Sequence, residues 1–313
     1  MDYSEFILGN VKKYMDQNYD YIYLKAVFER GIAAKKNNAT LITGSSHSMC
    51  GIDINMMRNT MNCSMHSQDL YYDFKCAREI LDKNSAPFKR CFIVMGYYVA
   101  GQDLSKGVRA GNAIIEKVYY PLFRDVRNCL EFNKYDPRDG FELKEGYAEK
   151  IENMVLERMH REKNYFNFYK KRVPYLPHRL KGFRYCEWNL HTEEEKEILG
   201  SARADEHHRF INYKETFHEN KEIFSDYVHY LTINDIEPIV VVMPFVKQYT
   251  RLLKNEQKEM FFELLNSAKE DVQLVDFNDA TCFEDCDFMD TDHVNENGAR
   301  KVSMILMNMF NIY

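Results

Sequence analysis

The chain has 313 residues, 45% of them hydrophobic and 29% charged, with a formal net charge of -6. That balance belongs to a folded globular protein and excludes a disordered chain; an acidic chain without a long basic run has no general attraction for nucleic acid. No stretch approaches the ~20 apolar residues that span a bilayer, so no membrane span is expected.

The opening Met1-Asp2-Tyr3-Ser4-Glu5-Phe6 lacks a basic region followed by an apolar core, so no signal peptide is read there. The expected location is cytoplasmic, or extracytoplasmic if the chain has been trimmed. Residues 2–36 read as a helix, with Val27, Ile32 and Ala33 near helical spacing. Thr40-Leu41-Ile42-Thr43 is a short buried strand stopped by Gly44, and Met61 to Ser64 is a second short strand. Gln68 to Lys83 is a helix with Leu70, Phe74, Ala77, Ile80 and Leu81 on one face. Cys91 to Met95 is a third strand, closed by Gly96. Val108 to Phe123 is a helix whose regular part Pro121 ends early.

From Arg124 to about Arg209 charges and aromatics dominate and no strand is evident, so residues 124–210 read as a helical insertion or cap within a single domain spanning 1–313. Alternation then resumes. A helix runs from about Tyr213 to Leu231, a strand from Ile236 to Met243, a helix from Leu252 to Lys269 and a strand from Val272 to Phe277. The last helix starts near Asn295, a good N-cap, and is expected to bury Ala299, Val302, Ile305, Leu306 and Met309. Alternating strands and helices predict a three-layer α/β/α sandwich with a central parallel sheet. The eight cysteines are scattered; Cys282 and Cys286 are the closest pair, no His cluster completes a zinc site, and no metal or other cofactor is implied.

In such sheets the site lies beyond the carboxyl ends of the strands. Polar residues follow the strands here: Gly44-Ser45-Ser46-His47 after the first, Gly96-Tyr97-Tyr98 after the third, Pro244-Phe245-Val246-Lys247 after the fourth, and Asp290-Thr291-Asp292-His293 after the last. A serine hydroxyl needs a base, and the base needs a group that fixes its tautomer. Ser46, His293 and Asp290 supply the three roles; on a helical turn, the spacing of Asp290 and His293 would set both side chains on one face. Asp292 is read as solvated, and the Arg203, Asp205, His207, His208 group as an exposed helix face, with substrate binding from the cap as the alternative. His66 and His47 are read as packing or surface residues rather than second bases, with a substrate contact for His47 as the alternative. Lys247 and Arg251 either bind an anionic substrate group or form a solvated helix start.

Gly44-Ser45-Ser46, Asp290-x-x-His293 and the continuation Val294-Asn295-Glu296-Asn297-Gly298-Ala299 together resemble the SGNH (GDSL-like) hydrolase superfamily. The nearest flavour is the branch of D-alanyl transfer proteins and alginate-type O-acetyltransferases. The resemblance covers the sheet-forming two thirds of the chain. It implies an esterase or O-acyltransferase acting on an O-acylated carbohydrate or a cell-surface polymer precursor, and it sets no oligomeric state. The chain departs from the pattern in three places. Ser45 replaces the usual aspartate, Asn62-Cys63-Ser64-Met65-His66-Ser67 lacks the second-block glycine, and Gly96-Tyr97-Tyr98 lacks the third-block asparagine. The candidate oxyanion donors are therefore Ser46 with Ser64, Ser67, Tyr97 or Tyr98. These departures keep a second reading open: a non-catalytic carbohydrate-binding or assembly protein on a degenerate scaffold of the same kind.

Overall fold

In a computed structural model of the protein, residues 3–34, 39–84, 88–107, 111–129, 131–137 and 188–312 are described. The chain divides into two compact units, one of residues 1–33 with 104–184 and one of residues 34–103 with 185–313. Residues 124–137 of the expected insertion belong to the first unit and 188–210 to the second; its middle, 138–187, lies outside the described residues.

In the first unit residues 3–32 and 111–123 are helical, whereas 124–129 and 131–137, expected as the start of a helical insertion, are bends and irregular chain. Helix α1 (Tyr3–Ile32) is kinked at Asn18, whose φ of -123° and ψ of 17° leave the helical region. The Asn18 side chain donates to the Pro137 carbonyl (2.9 Å) and accepts from the Tyr135 hydroxyl (2.6 Å), so the kink is held by long-range bonds. Residues 111–123 form a second helical stretch with a wide turn at Ile115–Tyr119. Helical spacing sets Ile114, Ile115, Val118 and Leu122 on one apolar stripe; the first three are buried and Leu122 is half-buried. Pro121 sits in the first turn of the final piece, Tyr120–Phe123, where its missing N–H is tolerated.

The second unit carries the sheet. Its strands are β1 (Ala39–Gly44), β2 (Thr60–Asn62), β3 (Phe88–Met95), β4 (Glu237–Val242) and β5 (Gln273–Asp276), in the order β2-β1-β3-β4-β5. Every pairing is parallel. Parallel strands need crossovers, and helices supply them on the faces of the sheet. Helix α2 (Ser46–Gly51) and helix α3 (Leu70–Leu81) follow β1 and β2. Helices α4 (Glu193–His208) and α5 (Lys214–Ile233) precede β4, α6 (Asn255–Leu265) precedes β5, and α7 (Glu296–Phe310) closes the chain. The result is an α/β fold with a five-stranded parallel sheet between helices, as the alternation predicts. Among the described residues no helix is long and apolar enough to cross a membrane.

The core sits on the central strands. Leu41, Ile42, Cys91, Phe92, Ile93, Ile239, Val240, Val241 and Val242 are fully buried. Each large aliphatic side chain so placed contributes about 1.5–3 kcal/mol. β5, at the edge, is shorter and more exposed than the sequence run suggested. The expected stripe on α7 holds for Ala299, Val302 and Leu306, while Ile305 is half-buried and Met309 is exposed. The start of α7 follows the sequence reading: the Asn295 side chain caps the N–H groups of Asn297 (2.9 Å) and Gly298 (3.3 Å). A Cβ at Gly298 would collide with the Asp287 carbonyl, which accounts for glycine in that motif.

Candidate active site

The turn after β1 presents Ser46. Gly44 takes a φ of +139°, a conformation that side chains rarely adopt, and a Cβ there would lie 2.5 Å from the Val94 carbonyl oxygen and 2.6 Å from Ser48 Oγ. The chain can therefore leave the sheet sharply between β1 and β3 only with glycine. Ser45 holds the N-cap position of α2 without a side-chain cap bond, and Ser46 is the first residue of the helix. The first intrahelical bond runs from the Met49 N–H to the Ser45 carbonyl (3.1 Å), so the N–H groups of Ser46, His47 and Ser48 lie ahead of the helical ladder.

The loop after β5 returns to this point. Phe288 and Val294 form an isolated antiparallel bridge, and the Met289 N–H donates to the His293 carbonyl (2.9 Å). Residues 290–293 make a bend rather than the helical turn expected from spacing. Asp290 closes that bend itself: its Oδ1 accepts from the N–H groups of Asp292 (3.0 Å) and His293 (2.8 Å). The same carboxylate meets His293 Nδ1 at 3.0 and 3.1 Å. On the other side of the ring, His293 Nε2 lies 2.7 Å from Ser46 Oγ. The three residues named from the sequence thus meet as serine, imidazole and carboxylate, with Ser46 and His293 both buried.

A second layer of polar groups surrounds this line. The His47 ring stacks on His293, with centroids 4.5 Å apart and planes 12° from parallel. His47 Nε2 reaches Asp292 Oδ2 (3.1 Å), while Nδ1 meets Ser45 Oγ (2.9 Å) and the Tyr98 hydroxyl (3.0 Å). A neutral His47 fits these contacts as an Nε2–H donor to the carboxylate and an Nδ1 acceptor from the hydroxyls. Tyr98 in turn stacks on His207 (3.9 Å), whose Nδ1 meets the Tyr249 hydroxyl at 2.7 Å.

Two readings of the sequence are corrected here. Asp292 is buried, not solvated. Arg203 is not on an exposed helix face: its Nε (2.8 Å) and Nη2 (2.7 Å) both donate to Asp292 Oδ2, and its Nη1 donates to Glu206 (2.7 Å). Helix α4 brings it there. A capping box between Thr192 and Glu195 starts the helix, and Lys196, Gly200, Ala204 and His207 form its buried face. Charged residues at helical spacing look solvated until a buried partner is known, so the sequence alone carried no signal for this pair. His207 is buried as well, whereas Asp205 is exposed.

Burial alone would lower the proton affinity of His293. The charges of Asp290 and Asp292 and their hydrogen bonds overcome it and push the imidazole up to about 10. Burial would raise Asp292, but the charges of Arg203 and His293 hold it well below the ordinary carboxylate value. Burial and then the charge of His293 lower His47; burial and then Arg203 lower His207. Burial pushes the Cys50 thiol up, which leaves it unsuited to act as a thiolate nucleophile beside His47.

The expected oxyanion donors fare unequally. The Ser64 N–H is given to Asn62 Oδ1 (3.0 Å), and its hydroxyl accepts from Ser48 Oγ (2.5 Å). The Tyr97 hydroxyl donates to Asp276, and the Tyr98 hydroxyl is engaged with His47. Ser67 is exposed, with a φ of 60°. The Ser46 N–H remains as the donor beside its own Oγ. Lys247 is exposed, and Arg251 is paired with Glu197 on α4. His47 is only 3% exposed and lies against the rear of His293, a place for support rather than for touching substrate.

His47, Asp292 and His293 offer ligand atoms within 4.8 Å of one another, the spacing of a metal site. The surroundings do not suit a cation: the Arg203 guanidinium already occupies Asp292 Oδ2, and His293 Nε2 is turned to Ser46. Hydrogen bonding accounts for all three residues. No protein-family model matches the chain, and no curated protein matches it either.

Proposed function

We propose that this protein is a serine esterase or O-acyltransferase that works through Ser46, His293 and Asp290. The observation that carries the reading is the 2.7 Å contact between Ser46 Oγ and His293 Nε2, with Asp290 bonded to the far nitrogen of the same ring. In acylation, His293 Nε2 takes the hydroxyl proton as Ser46 Oγ attacks an ester carbonyl. The oxyanion forms beside the Ser46 N–H, a donor ahead of the helical ladder. The proton then passes from Nε2 to the departing alkoxide, which leaves an acyl-serine. Water or a sugar hydroxyl next gives its proton to Nε2 and attacks the acyl carbon, and the proton returns to Ser46 Oγ. The resemblance to acyl-transfer proteins supports an O-acylated carbohydrate or polymer precursor as substrate.

Incubation with a fluorophosphonate probe tests the reading. Labelling at Ser46 is expected, with complete loss in Ser46→Ala at an unchanged melting temperature. One observation favours a second reading, the non-catalytic binding or assembly protein. The Ser64 N–H and the Tyr97 hydroxyl, which could have faced an oxyanion, are bonded within the protein. That reading predicts no labelling, together with carbohydrate binding that survives Ser46→Ala.

A further inference from the structure

His293 faces two carboxylates, and only one of them is needed for the relay described above. Asp290 bonds Nδ1 at 3.0 Å and its side chain is 41% exposed; Asp292 Oδ1 stands 3.5 Å from the same nitrogen and its side chain is 3% exposed. Two anions against one imidazole hold its proton to about 10 even with Arg203 in place, and any further uncompensated charge would move the base form to still higher pH. The structure places a counter-charge behind the second one. Arg203 puts two N–H donors on Asp292 Oδ2, the oxygen turned away from Nδ1, and Thr291 Oγ1 donates to Oδ1 at 3.1 Å. Asp292 is thereby fixed in orientation and partly neutralised.

We infer that Arg203 and Asp292 are positioning residues that form a charge-balanced second anchor for His293, setting both the orientation of the imidazole and its readiness to act as a base. The inference rests on the triad reading for its catalytic meaning. Every group around the ring bears on it. Asp290 and Asp292 come from the ring's own loop, Ser46 and His47 from α2, and Arg203 and His207 from α4, with Glu206 behind Arg203. His47 and His207 are held neutral by burial, so neither replaces the charge of Arg203. The anchor also ties α4 to the catalytic loop: a change in the placement of that helix alters the base without touching Ser46.

The sign of each perturbation follows. Arg203→Met removes the counter-charge and leaves the full Asp292 anion facing His293, so the imidazole holds its proton to higher pH. Asp292→Asn removes the anion and acts oppositely. Charges about 5 Å apart at an effective dielectric of about 20 move a neighbouring titration by about one pH unit or more. The double variant returns to within about half a unit of the parent, because the removed charges cancel, and Arg203→Lys, which keeps the charge, stays near the parent.

The measurement is NMR titration of the full-length chain labelled with 13C-histidine, with His293 assigned from a His293→Gln sample. The expected result is a midpoint raised in Arg203→Met and lowered in Asp292→Asn. Shifts in the same direction, or no shift beyond a few tenths of a unit in either, overturn the inference. Asp292→Asn is isosteric and judges it alone if Arg203→Met does not fold: an unmoved or raised midpoint overturns it. The acid limb of the fluorophosphonate labelling rate should move with the NMR midpoints, which a merely structural pair would not produce. Absence of labelling in the parent would defeat the esterase reading and leave the titration result standing by itself.

Discussion

Replacing Asp290 by asparagine separates the charge of that residue from its shape. The amide side chain would keep an Oδ1 for the N–H groups of Asp292 and His293, so the bend should persist. What is lost is the anion beside the imidazolium that forms as Ser46 is deprotonated. With charge centres about 4 Å apart and an effective dielectric of about 20, the attraction is about 4 kcal/mol. Asp290's side chain is 41% exposed, and solvent screening cuts the figure to about 2 kcal/mol. That corresponds to a labelling rate lower by ~30-fold. Where a single carboxylate serves a triad, the same change costs about 10⁴-fold. The smaller loss is expected here because Asp292 remains 3.5 Å from Nδ1. The assay is the pseudo-first-order rate of fluorophosphonate labelling on the alkaline plateau, above about pH 10, where His293 is already neutral in every variant, with the Asp290→Asn/Asp292→Asn pair as companion, expected to fall by a further ~30-fold or more. A loss below about 3-fold would move the catalytic partnership to Asp292; a loss of 10⁴-fold in the single variant would mean that Asp292 carries none of the charge.

Two further predictions concern pH and the elbow. Because the carboxylates raise His293 to about 10, its base form grows with pH, and the labelling rate should climb through the alkaline range; a limb centred at the ordinary histidine value of about 6.5 would refute the electrostatic account. The same shift has a stability sign: a raised folded-state value contributes fully below about 6.5, and that contribution disappears as pH rises towards 10, so denaturant midpoints should fall across that window and fall less in His293→Gln. Gly44→Ala should destabilise the protein by about 2–4 kcal/mol, combining a disfavoured backbone conformation with overpacking. The Cβ would press on the Val94 carbonyl and Ser48 Oγ. A chemical melt that moves by less than about 1 kcal/mol would remove the steric reason for that glycine.

The elements that short-range pattern could determine were legible in advance. Runs of four and five residues, 40–43 before Gly44 and 91–95 before Gly96, marked central strands, and Asn295 with Gly298 and Ala299 marked the start of the last helix. The order of strands and helices then put Ser46, Asp290 and His293 on one edge of a parallel sheet, since chain order alone dictates which loops share an edge. Local geometry was less legible. The Asp290–His293 spacing suggested a helical turn, yet the bend is closed by Asp290 accepting two backbone N–H groups, a choice between side-chain and main-chain acceptors that spacing does not encode.

What sequence by itself determined is therefore the alternation, the edge on which the loops gather and the three residues that meet there as serine, imidazole and carboxylate, all consequences of hydrophobic period and turn chemistry acting over a few residues. Only the tertiary structure decided the state of Asp292, the destination of Arg203 and the use of the candidate oxyanion donors. Whether a charged side chain is solvated or buried depends on the partner that the rest of the fold brings to it, and Arg203 and Asp292 are 89 residues apart. Desolvation and pairing are properties of that meeting, not of either residue.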